Sequence, residues 1–222
     1  MRQTQLPVTE IATTAGHLLV RCLGEVNCHP GQFYLARPLT APQPLSRVPI
    51  FPYPGPRGHL DFRISPAHAL ASLQPGDTLD LLGPCGRGFT LNLRATHLLL
   101  VAETFERLYP LLHHALANRY SVTLLLDSTA PLPAVPPAVE IQRGPLTPDL
   151  AHWADLIALD LPEPEAYARA ARALGLTPRP ADYIQALRVP LMPCGAGACQ
   201  ACWVEVGDNK CLACVDGPVF KL

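Results

Sequence analysis

The chain has no marked excess of charge of either sign, no hydrophobic run long enough to cross a bilayer, and almost no lysine. Acidic and basic residues nearly cancel over 222 residues, leaving a formal net charge of −1. That balance lacks the electrostatic footprint of a protein that tracks a nucleic-acid backbone or lies on an anionic membrane. Runs such as His97–Val101 end after one strand length, far short of the roughly 20 apolar residues a membrane helix requires. The opening Met1-Arg-Gln-Thr-Gln-Leu-Pro7 has no apolar core of the secretion-signal kind, so a cytoplasmic protein is expected. Only Lys210 and Lys221 accompany fifteen arginines, and 26 prolines stiffen the loops; neither bias points to a function. No Ser/His/Asp or Cys/His nucleophile arrangement stands out, so no catalytic residue is assigned.

What the chain does have is cysteine, eight in all. In a reducing compartment such residues are free thiols, metal ligands or redox groups. Cys22, Cys28 and Cys85 are scattered among apolar and turn residues and read as buried small hydrophobes. The other five crowd into one segment. Cys194-Gly-Ala-Gly-Ala-Cys199-Gln-Ala-Cys202 has the plant-type C-x4-C-x2-C spacing, with Cys214 following after eleven residues. Two sulfide-bridged ferric ions need four thiolates converging from a tight loop and a distant segment, and Gly195 and Gly197 let the backbone curl without a Cβ clash. The expected ligands of a [2Fe-2S] cluster are therefore Cys194, Cys199, Cys202 and Cys214. Zinc is the alternative, because Cys199-x2-Cys202 and Cys211-x2-Cys214 form two C-x2-C pairs, and the chain would then be a non-catalytic, zinc-stabilised interaction protein. Zinc leaves Cys194 and its glycines unexplained, whereas the cluster leaves out only Cys211. Disulfide pairing is the third alternative.

The remaining pattern predicts a mixed fold in three parts. Residues 1–93 alternate apolar and polar positions between Pro-Gly turns, as short strands of a small antiparallel β-barrel do. Residues 94–183 read as a reduced α/β domain: a buried strand at His97–Ala102, helical spacing of Phe105, Leu108, Leu111, Leu112, Ala115 and Leu116, and a second strand at Val122–Leu126. Val139–Gln142 and Leu156–Leu159 add edge strands, a proline-rich loop runs from Ala130 to Pro137, and Pro164–Leu174 is helical. Residues 184–222 form a lobe organised by its cofactor more than by its own core.

The tail resembles the electron-transfer subunit of class 1B dihydroorotate dehydrogenase, in the ferredoxin-reductase superfamily. The resemblance rests on Met192-Pro-Cys-Gly-Ala-Gly-Ala-Cys199 and Cys214-Val-Asp-Gly-Pro-Val-Phe220. Upstream it takes in Pro30-Gly31-Gln32-Phe33, Gln74-Pro-Gly-Asp77 and Leu81-Leu-Gly-Pro-Cys-Gly-Arg-Gly-Phe89. It implies a cluster relaying electrons between an FAD, held between barrel and nucleotide domain, and the FMN of a separate flavoprotein dehydrogenase subunit. That implies a hetero-oligomer engaged in dihydroorotate oxidation for pyrimidine biosynthesis. The chain departs from that family at three nucleotide-contacting places. Val48-Pro49-Ile50-Phe51 replaces an Arg-Pro-Ile/Tyr-Ser strand, with Arg47 one place early. Val101-Ala-Glu-Thr-Phe-Glu-Arg107 replaces a glycine-rich turn, so Glu103 and Glu106 would repel a pyrophosphate. Leu159-Asp-Leu-Pro-Glu-Pro164 replaces a Cys-Gly-Pro-like strand end near the nicotinamide. NAD(P) binding is not expected. FAD is the candidate second cofactor, with Arg47, Pro49, Tyr53, Gly83, Gly86 and Gly88 as its contacts and Tyr34 or Arg37 as substitutes.

Other residues carry plainer readings. Adjacent helix positions point about 100° apart, so His113 and His114 are expected to be solvated or capping. Trp203 could shield the cluster, meet a partner or simply be buried. Asp216-Gly217-Pro218 is a turn returning the chain end to the cluster, and dipole and solvent roles suffice for Asp155, Asp160, Glu163 and Glu165.

Overall fold

A computed structural model describes residues 1–14, 16–25, 27–39, 46–91, 95–103, 105–126, 135–173 and 182–222. Most of the proline-rich loop, the boundary at Leu93, Thr104 and the helix end at Leu174 lie outside the described residues. Seven strands come first: β1 (Arg2–Thr14), β2 (His17–Leu23), β3 (Phe33–Pro38), β4 (Val48–Ile50), β5 (Pro52–Tyr53), β6 (His59–Ile64) and β7 (Thr78–Cys85). They form one antiparallel sheet in the order β4-β3-β7-β1-β2-β6-β5. Its two edge strands, β4 and β5, are separated in sequence only by Phe51, so the sheet curls into a half-barrel. Val20, Tyr34, Leu60, Phe62, Leu79 and Leu81 fill its interior. Two buried carboxylates interrupt that core and are paid for by arginine. Asp61 takes Arg21 on both oxygens, and Asp80 accepts from Gln3, Arg37 and Arg47 at 2.8, 2.9 and 2.6 Å.

The period then changes. β8 (His97–Ala102), α1 (Tyr109–Ala117), β9 (Ser121–Leu126), β10 (Val139–Arg143), α2 (Pro148–Trp153), β11 (Leu156–Asp160), α3 (Pro164–Ala173) and β12 (Ile184–Leu187) follow as α/β units. After β13 (Trp203–Val206) and β14 (Asn209–Leu212), which form a separate hairpin, β15 (Val219–Lys221) returns to this second sheet. Its order is β10-β9-β8-β11-β12-β15, parallel except for the last pair. α1 starts with Pro110 in its first turn, where a missing N–H costs nothing, and stops where Arg119 turns left-handed. It buries Leu111, Leu112 and Ala115 on one face.

Two expectations change. Leu156–Asp160 is an interior strand between β8 and β12, buried at every position, rather than an edge. A continuous apolar run buried on both faces has the same composition as a short edge strand, which is why periodicity missed it. Ile184–Leu187 belongs to the parallel sheet and pairs with Val219–Lys221, so the cysteine segment is spliced between two strands of that sheet. α2 was not foreseen, although Thr147-Pro148-Asp149 carries its signal: the Thr147 hydroxyl accepts from the Leu150 N–H at 3.3 Å and Pro148 opens the first turn.

The lobe has a core, shared with the barrel. Phe33, Leu35 and Cys85 of the barrel pack with Met192, Cys202, Val204, Ala213, Cys214 and Phe220. The Arg87 N–H donates to the Gly217 carbonyl, and the Arg188 N–H donates to the Pro218 carbonyl at 2.8 Å.

Candidate iron–sulfur centre

Four of the eight cysteines come together in two pairs. Cys194 Sγ and Cys199 Sγ are 3.3 Å apart, and Cys202 Sγ and Cys214 Sγ are 3.2 Å apart. The pairs are adjacent, because the Gly197 N–H, inside the Cys194–Cys199 loop, donates to Cys214 Sγ at 3.3 Å. Gly195 and Gly197 both sit at positive φ (67° and 75°). A Cβ on Gly195 would also stand 2.8 Å from Leu35 Cδ1, so the loop could not lie down on the barrel with any larger residue there.

The electrostatics favour negative charge on Cys194 and oppose it on Cys214. The Cys194 thiol is lowered to about 6 by the backbone N–H of Cys199 and that of Ala196, helped by the Cys199 thiol and the Ala198 N–H. Burial pushes Cys214 up to about 12, reinforced by Cys202. Cys202 and Cys214 are buried while Cys199 is exposed, so the cluster position has an inner and an outer side. The donor set fits a dinuclear centre with one thiolate pair for each iron. Among the described residues no three or more His, Cys, Asp or Glu side chains are gathered around one metal-ion position; the four sulfurs meet as two pairs. Cys211 lies opposite Val204 in the hairpin and takes no part in these sulfur contacts, so the C-x2-C pairing required for zinc is not the pairing seen.

Cys22 and Cys85 are buried as expected and Cys28 is half-buried; burial pushes them to about 12, 11 and 12 respectively. Cys85 lies beneath the loop, 3.3 Å from the position of a Gly195 Cβ.

The residues assigned to FAD stand elsewhere, each engaged by the protein itself. Arg47 donates to Asp80, and its Nε has no hydrogen-bond acceptor among the described residues. Pro49 pairs with Leu35 across β4 and β3. Tyr53 stacks on Tyr109 of α1. A Cβ at Gly83 would meet the Tyr34 ring, at Gly86 the Gly217 carbonyl and Pro218, and at Gly88 the Pro30 carbonyl, so chain packing accounts for all three glycines. Tyr34 is buried in the barrel core and Arg37 holds Asp80. Apart from that Arg47 Nε, the side chains of this set are engaged within the protein.

The order of the second sheet reverses between β8 and β11, the place where open α/β sheets hold nucleotides. There Arg107 donates to both oxygens of Asp160 at 2.7 and 2.6 Å, in a cleft of about 310 Å³ that Glu103 and Arg188 also line. Asp160 is thus a buried ion-pair partner rather than a solvated group. Asp155 accepts from the Thr96 and His97 N–H groups, and Glu165 holds Arg188 at 2.7 Å. His113 is half-buried against Tyr109, not solvated, while Trp203 is 53% exposed under the Lys210 ammonium, which excludes simple burial.

The curled antiparallel sheet, the α/β sheet and the cysteine lobe together make a ferredoxin-reductase-like fold with a cysteine-rich C-terminal segment. The comparisons agree: residues 190–222 match the family model for the iron-sulfur cluster binding domain of dihydroorotate dehydrogenase B. The NADH-dependent reduced ferredoxin-NADP oxidoreductase structure, described for flavin-based electron bifurcation, superposes with a TM-score of 0.76 at 20% identity, covering 97% of this chain and 87% of that one. The ferredoxin reductase in carbazole 1,9a-dioxygenase gives 0.61 at 19% identity, covering 82% of this chain and 66% of that one. No curated protein matches the chain. Among the described residues no helix is long and apolar enough to cross a membrane.

Proposed function

We propose that the chain is the electron-transfer subunit of an oxidoreductase complex, holding a [2Fe-2S] cluster on Cys194, Cys199, Cys202 and Cys214. The observation that carries this reading is the pairing of those four sulfurs around one loop whose amides point at them. A bound cluster supplies one-electron redox chemistry. The protein's part is to hold the sulfurs, set their charge through the N–H groups of Ala196, Gly197, Ala198 and Cys199, and keep water from the inner pair with Phe33, Met192 and Phe220. Its partner is a flavoprotein dehydrogenase catalytic subunit in a hetero-oligomer. The family match favours a dihydroorotate dehydrogenase, hence pyrimidine biosynthesis in the cytoplasm. Leu191, Trp203 and Val215, all exposed apolar side chains close in sequence to the cluster ligands, support an outer side that meets a protein.

The test is an anaerobic preparation assayed for iron, acid-labile sulfide and zinc, with visible and electron paramagnetic resonance spectra. Equimolar iron and sulfide, with a paramagnetic signal on one-electron reduction, are expected. Zinc without sulfide would sink the reading.

A further inference from the structure

The fold implies a flavin between the half-barrel and the α/β sheet, and the chain has built its own side chains into that seam. Tyr53, on the last strand of the half-barrel, lies face to face with Tyr109 at the start of α1, centroids 4.5 Å apart and planes within 15°. That is the close end of the stacking range, so no third ring can enter between them. Tyr109 is itself boxed in, edge-on to Phe105 at 5.6 Å and against His113 at 4.6 Å, and only 7% exposed. Burial first, then a hydrogen bond to Tyr109, pushes the Tyr53 hydroxyl up, so the Tyr53 phenol stays neutral. Around the stack the cations are already taken. Glu106, at the head of α1, holds His17 at 3.0 Å and Arg63 at 3.8 Å, and Arg63 also meets His17 Nδ1 at 3.1 Å. Arg37 and Arg47 share Asp80. Each of these three arginines is paired with a carboxylate, while Arg47 Nε and Arg63 Nε have no hydrogen-bond partner among the described residues.

We infer that Tyr109 occupies the flavin ring's place and that the chain binds no FAD. The stack and the Glu106–His17–Arg63 group instead weld half-barrel to α/β sheet. What stays open beside them is a groove of about 730 Å³, lined by Tyr53, Pro54, Arg57, Pro110 and His113. With the cluster of the proposed function as its single redox centre, the chain passes electrons one at a time. It cannot take a hydride, which delivers two electrons with one proton. The two-electron step then falls to the partner's flavin.

The experiment is a flavin count on the anaerobically purified full-length chain, followed by titration with FAD monitored by flavin fluorescence. The Tyr109→Ala and Tyr109→Phe variants are titrated alongside. Tyr109→Phe keeps the ring and controls for loss of the hydroxyl, and the circular dichroism spectrum of each variant reports folding. Wild type and Tyr109→Phe are expected to carry no flavin and to show no saturable quenching, while Tyr109→Ala gains FAD affinity by at least about tenfold. Stoichiometric flavin in the purified wild type, or a wild-type dissociation constant near about 1 μM, would overturn the inference. A folded Tyr109→Ala that binds no better than wild type would overturn Tyr109 as the barrier. NADH added to the wild type should leave the visible spectrum unchanged, and bleaching within minutes would also count against it. The flavin count does not depend on the iron assay, so the two readings can fail separately.

Discussion

In the cysteine lobe, backbone N–H groups of Ala196, Gly197, Ala198 and Cys199 are aimed at sulfur, and the loop that carries them has only glycine and alanine between its two cysteines. In the seam between half-barrel and α/β sheet the reverse holds: Tyr53, Arg63, His17, Glu106 and Tyr109 are aimed at one another. Both regions lie between elements far apart in sequence. Whether a site keeps a cofactor depends on whether its polar groups have been left for the ligand or paired within the protein, since an unpaired buried group is costly and a paired one resists exchange.

The largest effect expected on breaking this contrast comes from the buried sulfur pair. Cys202→Ser or Cys214→Ser should take iron and sulfide close to zero and expose residues 190–222 to proteolysis, because holding the cluster and ordering the lobe are one event. Tyr109→Phe should leave both measurements unchanged. Next is Asp80, the buried anchor of two arginines. Asp80→Ala removes the carboxylate that Arg37 and Arg47 share and is expected to cost about 3 kcal/mol, read from urea midpoints. The pH dependence has a definite sign. Burial alone would raise the Asp80 pKa, but hydrogen bonds from Gln3 and Arg37 and the charge of Arg47 outweigh it and hold the carboxyl below its usual range. Its stabilising contribution is therefore complete above the unfolded value of about 4 and is lost as pH falls through the depressed folded value. The wild-type midpoint should drop between pH 5 and pH 3 by more than that of Asp80→Ala.

Those two regions were also unequally legible in the sequence. The four cysteines that the structure brings together could be read from spacing alone, because a loop closing on metal ions fixes both the residue type and the interval. The half-barrel and the β-α-β start of the second sheet were legible from period. The interior position of Leu156–Asp160 was not, since strand order is a property of the whole sheet. The seam was half legible: Glu106 stood out as a carboxylate before α1, and the structure pairs it with His17 and Arg63. The Tyr53–Tyr109 stack joins residues on two different domains, and no local pattern announces such a contact. Gly83, Gly86 and Gly88 were given ligand roles because a glycine reads the same way whether it makes room for a cofactor or for the Tyr34 ring.

A smaller effect sharpens the difference between the two kinds of glycine. Gly195→Ala combines a left-handed backbone with a Cβ pressed on Leu35 Cδ1, so it should cost about 1–3 kcal/mol and slow the incorporation of iron during reconstitution. Gly144→Ala, also at positive φ but with nothing within 4 Å of its Cβ, has the backbone cost only and should not alter iron uptake. Equal uptake rates in the two variants would mean that the loop's fit on the barrel is irrelevant to the cluster.

The smallest effect belongs to Cys211. It is half-buried in the β13–β14 hairpin opposite Val204, outside both sulfur pairs, and lines a shallow groove with Gln200, Trp203 and Lys210. Serine there keeps the size and removes the sulfur. Iron, sulfide and the visible spectrum should match wild type, with stability within about 0.5 kcal/mol. A Cys211→Ser chain without iron, beside a Cys194→Ser chain that still holds metal, would instead place the ligands at Cys199, Cys202, Cys211 and Cys214, the arrangement that suits one zinc ion. The lobe would then be a structural staple, and the contrast with the seam would vanish, because neither region would be left open for redox chemistry.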